Sequence, residues 1–207
     1  MFEPANLQKL KGCGVAVLDT PSEIIPPVLN YLGEDPNSFD PAVIRKAMDR
    51  LQALRPHITY FHSSQYINDL ANGDICVTIG WSGDIIQAQD RAEEAGKGVE
   101  IAYSIPKEGA PMWFDMLAIP KDAKNVANAH LFINYILRPE VAASLTNKVF
   151  YANPNQASLK FVKKDVAENK TIFLPANALA RMTAPDAVPQ PIRRVQTRIF
   201  TNFKAGR

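Results

Sequence analysis

Several features that would assign this chain to a function class are missing from its sequence. None of its apolar runs approaches the roughly 20 residues of a transmembrane helix. Its amino terminus lacks the charged-then-apolar pattern of an export signal. The formal net charge is +2 over 207 residues, and no basic run exceeds two residues. The sequence therefore predicts neither a nucleic-acid partner nor attraction to an anionic membrane surface.

Motifs of catalysis and cofactor binding are also missing. The sequence contains no GxGxxG or GxxxxGK[ST] phosphate-binding loop, no HExxH, no acidic metal cluster and no GxSxG nucleophile turn. His62 and Ser63 are adjacent, but neighbouring side chains on a strand point to opposite faces, which disfavours a nucleophile-and-base pair. We therefore expect a protein that is not an enzyme and that uses no cofactor and no metal.

The sequence has only two cysteines, Cys13 and Cys76, and neither has the CxxC spacing or the paired histidines of a metal site. Each lies beside or within a predicted strand. Composition alone favours two buried free thiols. If the two were bonded, the enclosed loop would be long, and chain entropy would assign the bond about 4 kcal/mol of stabilisation.

The sequence does contain the alternation that is typical of an α/β fold with a parallel sheet. Apolar, β-branched runs predict strands, and capping signals with amphipathic spacing predict helices between them. In the first half, the strands are 14–18, 58–61 and 75–79, and the helices are 20–33, 40–54, 64–72 and 84–96. Glycine or proline ends most of these elements, in a chain with 16 prolines and 10 glycines.

The middle of the chain fits this pattern less well. Residues 99–105 and 113–119 read as apolar strands. The spacing predicts a helix over 123–137 whose buried side carries Val126, Ala129, Leu131, Phe132, Tyr135 and Ile136. Two strands are few for an independent sheet. We therefore expect this segment to belong to a sheet whose other strands are missing from this sequence.

Aromatic residues precede acids at two of the predicted strands. Trp81 stands three positions before Asp84, and Trp113 stands two positions before Asp115. Side chains alternate along a strand, so Trp113 and Asp115 would lie on the same face. Rings beside carboxylates suit an alkylammonium, because the ring faces take the methylene groups while the carboxylates bind the NH₃⁺ ends. We therefore expect these residues to face a small organic cation.

Each of these residues, and Glu23 at the start of a predicted helix, also has a structural alternative. Glu23 fits the third helical position of a capping box that begins at Thr20, and local sequence favours that role. Asp84 fits a helix cap or the positive end of a helix. Trp81 and Trp113 fit a hydrophobic core. An acid such as Asp115, placed inside an apolar strand, would need a polar partner.

Longer motifs carry a resemblance to a known family. They are CGVAVLDTPSE (13–23), LNYLGEDPNS (29–38), YFHSSQYINDLANGDICVTIGWSGD (60–84), IPKEGAPMWFDMLAIP (105–120), NYILRPEV (134–141), VFYAN (149–153) and RVQTRIFTNFKAGR (194–207). The chain resembles the periplasmic putrescine/spermidine-binding proteins of bacterial polyamine ABC importers along its whole length.

The resemblance implies an α/β fold of the type II periplasmic-binding-protein kind, with two lobes that close around a hinge. Residues 1–98 and 160–207 would form the second lobe, and 99–159 the returning part of the first. The implied disulfide joins Cys13 and Cys76. The implied polyamine-binding residues are Glu23, Trp81, Asp84, Trp113, Asp115 and Tyr151.

The resemblance also implies partners and a location. The ligand would be putrescine or spermidine, the protein partners would be the membrane subunits of an ABC importer, and the location would be the periplasm. The amino-terminal part of the family is not matched, so we expect a truncated form that binds polyamines weakly or not at all and that self-associates through an exposed first-lobe edge. The alternative function is an interaction or sensory module without transport activity.

Overall fold

Two separate parallel sheets form in the computed structural model, which describes all residues from 1 to 207. The larger sheet has the strand order β2-β1-β3, and the smaller pairs β4 with β5. In the larger sheet, Ala16 of the middle strand stands opposite Tyr60 on one side and Thr78 on the other. The strands are β1 (Val15–Val17), β2 (Tyr60–Phe61), β3 (Val77–Thr78), β4 (Ala110–Pro111) and β5 (Met182–Thr183).

Helices connect the parallel strands, as crossover connections require. The α-helices are α1 (Pro4–Leu10), α2 (Pro21–Tyr31), α3 (Pro41–Leu54), α4 (Tyr66–Asn72), α5 (Ser82–Ala95), α6 (Val126–Ile136), α7 (Pro139–Val149), α8 (Lys164–Glu168), α9 (Ala176–Leu179) and α10 (Gln190–Ala205). None of them combines the length and the apolar character of a membrane-spanning helix. The predicted α/β alternation of the first half is confirmed.

Local signals position the ends of these helices. The Asp40 carboxylate accepts a hydrogen bond from the backbone N–H of Ala42, 2.8 Å away, and so caps the start of α3. Gly73 and Gly96 end α4 and α5 in the left-handed conformation, which costs glycine little. The helix stops predicted at these two glycines are confirmed.

The main hydrophobic core surrounds the central strand. All of β1 is buried, because helices cover both faces of the sheet. Phe200 and Phe203 of α10 complete this core from the far end of the chain. The side chains that α2 contributes are Ile24, Ile25, Val28 and Leu29. Each large apolar side chain buried in this way contributes about 1.5–3 kcal/mol to folding.

A disulfide joins Cys13 and Cys76, whose Cα atoms lie 5.5 Å apart. It connects the chain just before β1 to the chain just before β3, which are neighbours in the sheet. The free-thiol interpretation that composition favours is therefore wrong, and the implied disulfide is confirmed. Composition could not show that parallel pairing brings two residues 63 positions apart into contact.

The two strands predicted at 99–105 and 113–119 are not present as regular strands. Only Ala110–Pro111, between them, enters a sheet, by pairing with β5. A strand exists only where a neighbour accepts and donates its backbone hydrogen bonds. Within this chain, no further strand lies beside the two segments, so their apolar pattern does not become β-structure.

Helix α6 forms as predicted, but its apolar side is not buried. None of its residues is classed as buried. Leu131 is 68% exposed, Phe132 56% and Tyr135 51%. Helix α7 packs against α6, and nothing in the chain covers these three side chains. The prediction of a buried face on this helix is therefore wrong for the chain as it stands.

The disulfide has a measurable contribution to stability. Replacing both cysteines, Cys13→Ser with Cys76→Ser, releases a loop of 63 residues in the unfolded state. We expect the free energy of unfolding to fall by about 4 kcal/mol, measured by urea denaturation. Reduction of the wild-type chain should give the same loss. A loss below about 1 kcal/mol would show that the unfolded chain keeps these residues close.

The exposure of α6 predicts an unusual tolerance of polar substitutions. Because Leu131 lies largely in solvent, we expect Leu131→Lys to change the free energy of unfolding by less than about 0.5 kcal/mol. The contrasting variant is Ile44→Ala, at a residue of α3 that is 0% exposed, which should cost about 2–5 kcal/mol. Comparable losses in the two variants would mean that a surface buries Leu131 in solution.

Candidate ligand-binding site

A large cavity opens beyond the carboxyl end of the central sheet, where ligands bind in open α/β folds. Its volume is about 1380 Å³, and 28 of its 44 lining residues are hydrophobic. Leu18, Ile79 and Gly80, which follow β1 and β3, form part of its floor. The size and the apolar lining suit an organic ligand.

The charged side chains that line this cavity all have one sign. Glu23, Glu100 and Asp115 line it, and no lysine, arginine or histidine side chain does. No group of three or more histidine, cysteine, aspartate or glutamate side chains is arranged to hold a metal ion. The electrostatics of the cavity therefore favour an organic cation, whose charge would offset the cost of desolvating the carboxylates.

Three aromatic rings form a row along the cavity. The ring centres of Trp81 and Trp113 lie 6.3 Å apart, and those of Trp113 and Tyr151 lie 6.1 Å apart, both in edge-to-face arrangements. Trp81 also packs against the main core, whereas Trp113 is 37% exposed. The core alternative therefore holds in part for Trp81, and it is wrong for Trp113.

Glu23 faces the cavity and not the start of its helix. Its Oε2 accepts a hydrogen bond from the indole Nε1 of Trp81, 3.3 Å away. Thr20, at the start of α2, makes no side-chain cap, and its hydroxyl lies 3.0 Å from that of Ser22. The capping-box alternative is therefore wrong. Burial raises the pKa of Glu23 above its ordinary value of 4.5, and the bond from Trp81 lowers it by less.

Asp84 holds two tyrosine side chains together. Its Oδ2 accepts from the Tyr66 hydroxyl at 2.7 Å, and its Oδ1 accepts from the Tyr151 hydroxyl at 2.9 Å. Asp84 lies in the first turn of α5 but does not cap it, so the cap alternative is wrong. The other alternative holds, because a carboxylate in the first turn lies at the positive end of the helix dipole. Asp84 itself does not line the cavity, whereas Tyr151 does. Burial, followed by the nearby carboxylate, raises the pKa of both phenols.

The backbone near Tyr151 has the shape that this arrangement needs. Phe150 ends α7 in the left-handed conformation, with φ of 58°, which is rare for a bulky residue. Tyr151 then lies against Gly83, where a Cβ atom would collide with the tyrosine ring. Glycine at position 83 therefore allows the end of α7 to approach the start of α5.

Asp115 differs from the buried acid that the sequence predicts. It is exposed, and it makes no hydrogen bond or salt bridge within the chain. Because 113–119 is not a strand and Asp115 is exposed, its carboxylate does not need a polar partner within the chain. Asp115 still lines the cavity, and it is close enough to Tyr151 to contribute to the raised pKa of that phenol.

Two functional candidates were missed at the level of sequence. Glu100 is a further acid that lines the cavity. It lies in the predicted strand 99–105, and nothing in the sequence around it indicated a binding residue. Tyr66 is 0% exposed and contacts Asp84, and a tyrosine in a short helix looks like any other core residue.

Comparison with known proteins agrees with this geometry. The sequence model of the bacterial extracellular solute-binding protein family matches residues 5–173. The chain belongs to this family. It is 52% identical over its whole length to the putrescine-binding periplasmic protein PotF of Escherichia coli (strain K12), and 46% identical to the putrescine-binding periplasmic protein SpuD of Pseudomonas aeruginosa (strain UCBPP-PA14). It spans 56% of the length of each of these relatives.

Solved structures show the same fold. A Listeria monocytogenes protein described as a spermidine/putrescine ABC transporter superposes with a TM-score of 0.84 at 27% identity, over 100% of this chain and 62% of the other. The substrate-binding protein PotD of Streptococcus pneumoniae superposes with a TM-score of 0.78 at 24% identity, with the same coverage. The fold is therefore α/β of the type II periplasmic-binding-protein kind, as the resemblance implies.

The raised pKa of Glu23 predicts a pH-dependent cost to stability. Because the folded pKa lies above the unfolded one, folding favours the protonated acid, and stability is lost as the pH rises through the folded pKa. We expect Glu23→Gln to be more stable than wild type at pH 7, with the difference shrinking toward pH 4. Urea denaturation at both pH values measures this, and a Glu23→Gln variant less stable at pH 7 would contradict it.

Proposed function

We propose that this chain forms part of the polyamine-binding cleft of a solute-binding protein, which delivers putrescine or spermidine to an ABC importer. The observation that carries the proposal is the cavity itself, with three acids, no basic side chain and a row of three aromatic rings. The names of PotF and SpuD, both putrescine-binding, support the choice of ligand class. The role is binding and not catalysis.

The proposed ligand contacts follow from the chemistry of a diamine. Trp81, Trp113 and Tyr151 would take the methylene chain on their rings and add cation–π attraction. Glu23 and Asp115 would each pair with an ammonium group through charge-assisted hydrogen bonds. The Tyr151 hydroxyl donates to Asp84, so its oxygen keeps lone pairs that an ammonium group can use.

We also propose the division into lobes, with 1–98 and 160–207 in one lobe and 99–159 in the other. The buried residues of the main core all belong to the first group, and Ile101 and Tyr103 of the second group pack against them. Residues from both groups line the cavity. A hinge between the groups would close the cavity on its ligand. The disulfide supports a periplasmic location like that of the relatives, because disulfides persist in oxidising compartments.

The ligand class can be tested by NMR titration of the 207-residue chain with three matched compounds. Putrescine carries two ammonium groups, butylamine one and butane-1,4-diol none. Because acids line the cavity and a cation balances them, we expect amide signals near Trp81 and Tyr151 to shift with putrescine, less with butylamine and not with the diol. Exposed Trp113 and Asp115 leave the cavity open, so the affinity should be weaker than that of PotF, which is the positive control.

Variants of the acids connect the signal to the site. We expect Glu23→Gln and Asp115→Asn each to weaken putrescine binding by about tenfold, the effect of losing one interaction with a charged group. Asp84→Ala should also weaken binding, because it releases the Tyr151 hydroxyl at the cavity wall. The matched control is Asp122→Asn, which removes an equal charge from an exposed position outside the cavity. Equal shifts with putrescine and the diol, or unchanged affinity in all three variants, would refute the polyamine site.

A second candidate function is an interaction or sensory module without transport activity. The uncovered apolar side chains of α6 favour it, since exposed apolar surface commonly marks a protein contact. A folded chain whose signals respond to none of the three compounds would support this candidate over the first. The self-association expected through the exposed first-lobe edge stays a prediction.

A further inference from the structure

The hydroxyl of Tyr66 makes two hydrogen bonds at the start of α5. It donates to Asp84 Oδ2 at 2.7 Å, and it accepts from the backbone N–H of Trp81 at 3.3 Å. Trp81 has no side-chain cap to its helix, and its own carbonyl accepts the first helical bond, from Ile85. One phenol therefore fixes both the acid of the first turn and the backbone of the indole.

The surroundings of Tyr66 hold this hydroxyl in place. The side chain is 0% exposed and belongs to the main core. Its ring lies directly against Gly80, where a Cβ atom would stand 2.7 Å from Cε2 of the tyrosine. Glycine at this position is therefore what lets the ring approach the turn between β3 and α5. Tyr66 itself does not line the cavity.

We propose that Tyr66 is a positioning residue of the polyamine site, which acts on the ligand through Asp84 and also holds the backbone N–H of Trp81. The proposal rests on the proposed function and adds a residue that does not touch the ligand. With Tyr66 on one oxygen and Tyr151 on the other, the Asp84 carboxylate has one orientation. That orientation fixes the Tyr151 hydroxyl at the cavity wall.

Removal of the Tyr66 hydroxyl has consequences at two places. The Trp81 N–H loses its acceptor, and Asp84 Oδ2 loses its donor, so only the Tyr151 hydroxyl still holds the carboxylate. A binding group that is no longer held in its productive orientation costs affinity, because the ligand must order it again. The effect on the ligand therefore passes through Asp84 and depends on that acid being present.

The test compares Tyr66→Phe with a matched control, Tyr60→Phe, in the 207-residue chain. Tyr60 also donates its hydroxyl to a carboxylate, Asp69 Oδ2 at 2.5 Å, and it lies outside the cavity. Both variants keep the ring and lose one hydroxyl. We expect Tyr66→Phe to speed hydrogen exchange of the Trp81 amide by about tenfold and to weaken putrescine binding by about tenfold. Tyr60→Phe should change neither.

A double-mutant cycle separates positioning from general destabilisation. In the presence of Asp84→Asn, we expect Tyr66→Phe to weaken putrescine binding by less than about twofold, because the group it orients has already been changed. The full tenfold loss in both backgrounds would overturn the proposal, as would unchanged binding in Tyr66→Phe alone.

The exchange measurement needs no ligand, so the two proposals fail separately. If the wild-type chain binds no diamine, the polyamine function fails, and the exchange rate of Trp81 still decides whether Tyr66 fixes that backbone. If putrescine binds and the Trp81 amide exchanges equally in wild type and Tyr66→Phe, the polyamine function stands and the positioning role is refuted.

Discussion

The pairing of one carboxylate with two phenols connects the parts of this structure on which the cavity depends. Tyr66 comes from the main core, Asp84 from the first turn of α5, and Tyr151 from the chain that follows α7. A carboxylate only accepts and each phenol has a single proton to donate, so each oxygen of Asp84 receives one hydroxyl proton. Gly80 and Gly83 are the positions at which the two rings come against the backbone. Contacts within the chain therefore give the wall that carries Trp81 and Tyr151 its shape.

Glu23 and Asp84 show how the same side-chain chemistry takes two roles. Asp84 receives two hydroxyl donors within the chain. Glu23 receives one long bond from an indole, and burial leaves its pKa raised. A half-buried carboxylate with one neutral donor keeps free lone pairs and gains most from a cation, since charge-assisted hydrogen bonds are roughly twice as strong as neutral ones. In the proposed site, Glu23 would thus lower the stability of the ligand-free protein and favour a cationic ligand, which is the usual relation between stability and function at a binding site.

The parts of the structure that sequence predicts well are those set by near neighbours along the chain. Asp40 caps α3, and Gly73 and Gly96 end their helices, because those signals act within one turn. Glu23 has the spacing of a capping box, yet the indole of Trp81, 58 positions away, takes its carboxylate. The apolar segment 113–119 and helix α6 have the patterns of a strand and of a half-buried helix. Those patterns need partners at long range, and this chain provides none.

The two walls of the cavity differ in how firmly they are held. Trp81 stands between the core and a fixed helix start, whereas Trp113 and Asp115 lie in a segment without a strand ladder. That segment is anchored where β4 pairs with β5, and Gly109 at φ of 101° lets the chain pass against the carbonyl of Arg181. Beyond this anchor, the edge-to-face contacts of Trp113 contribute only about 0.5–1.5 kcal/mol each. Trp113 and Asp115 are held by fewer contacts than Trp81, so they are the residues of the proposed site whose positions can adjust most.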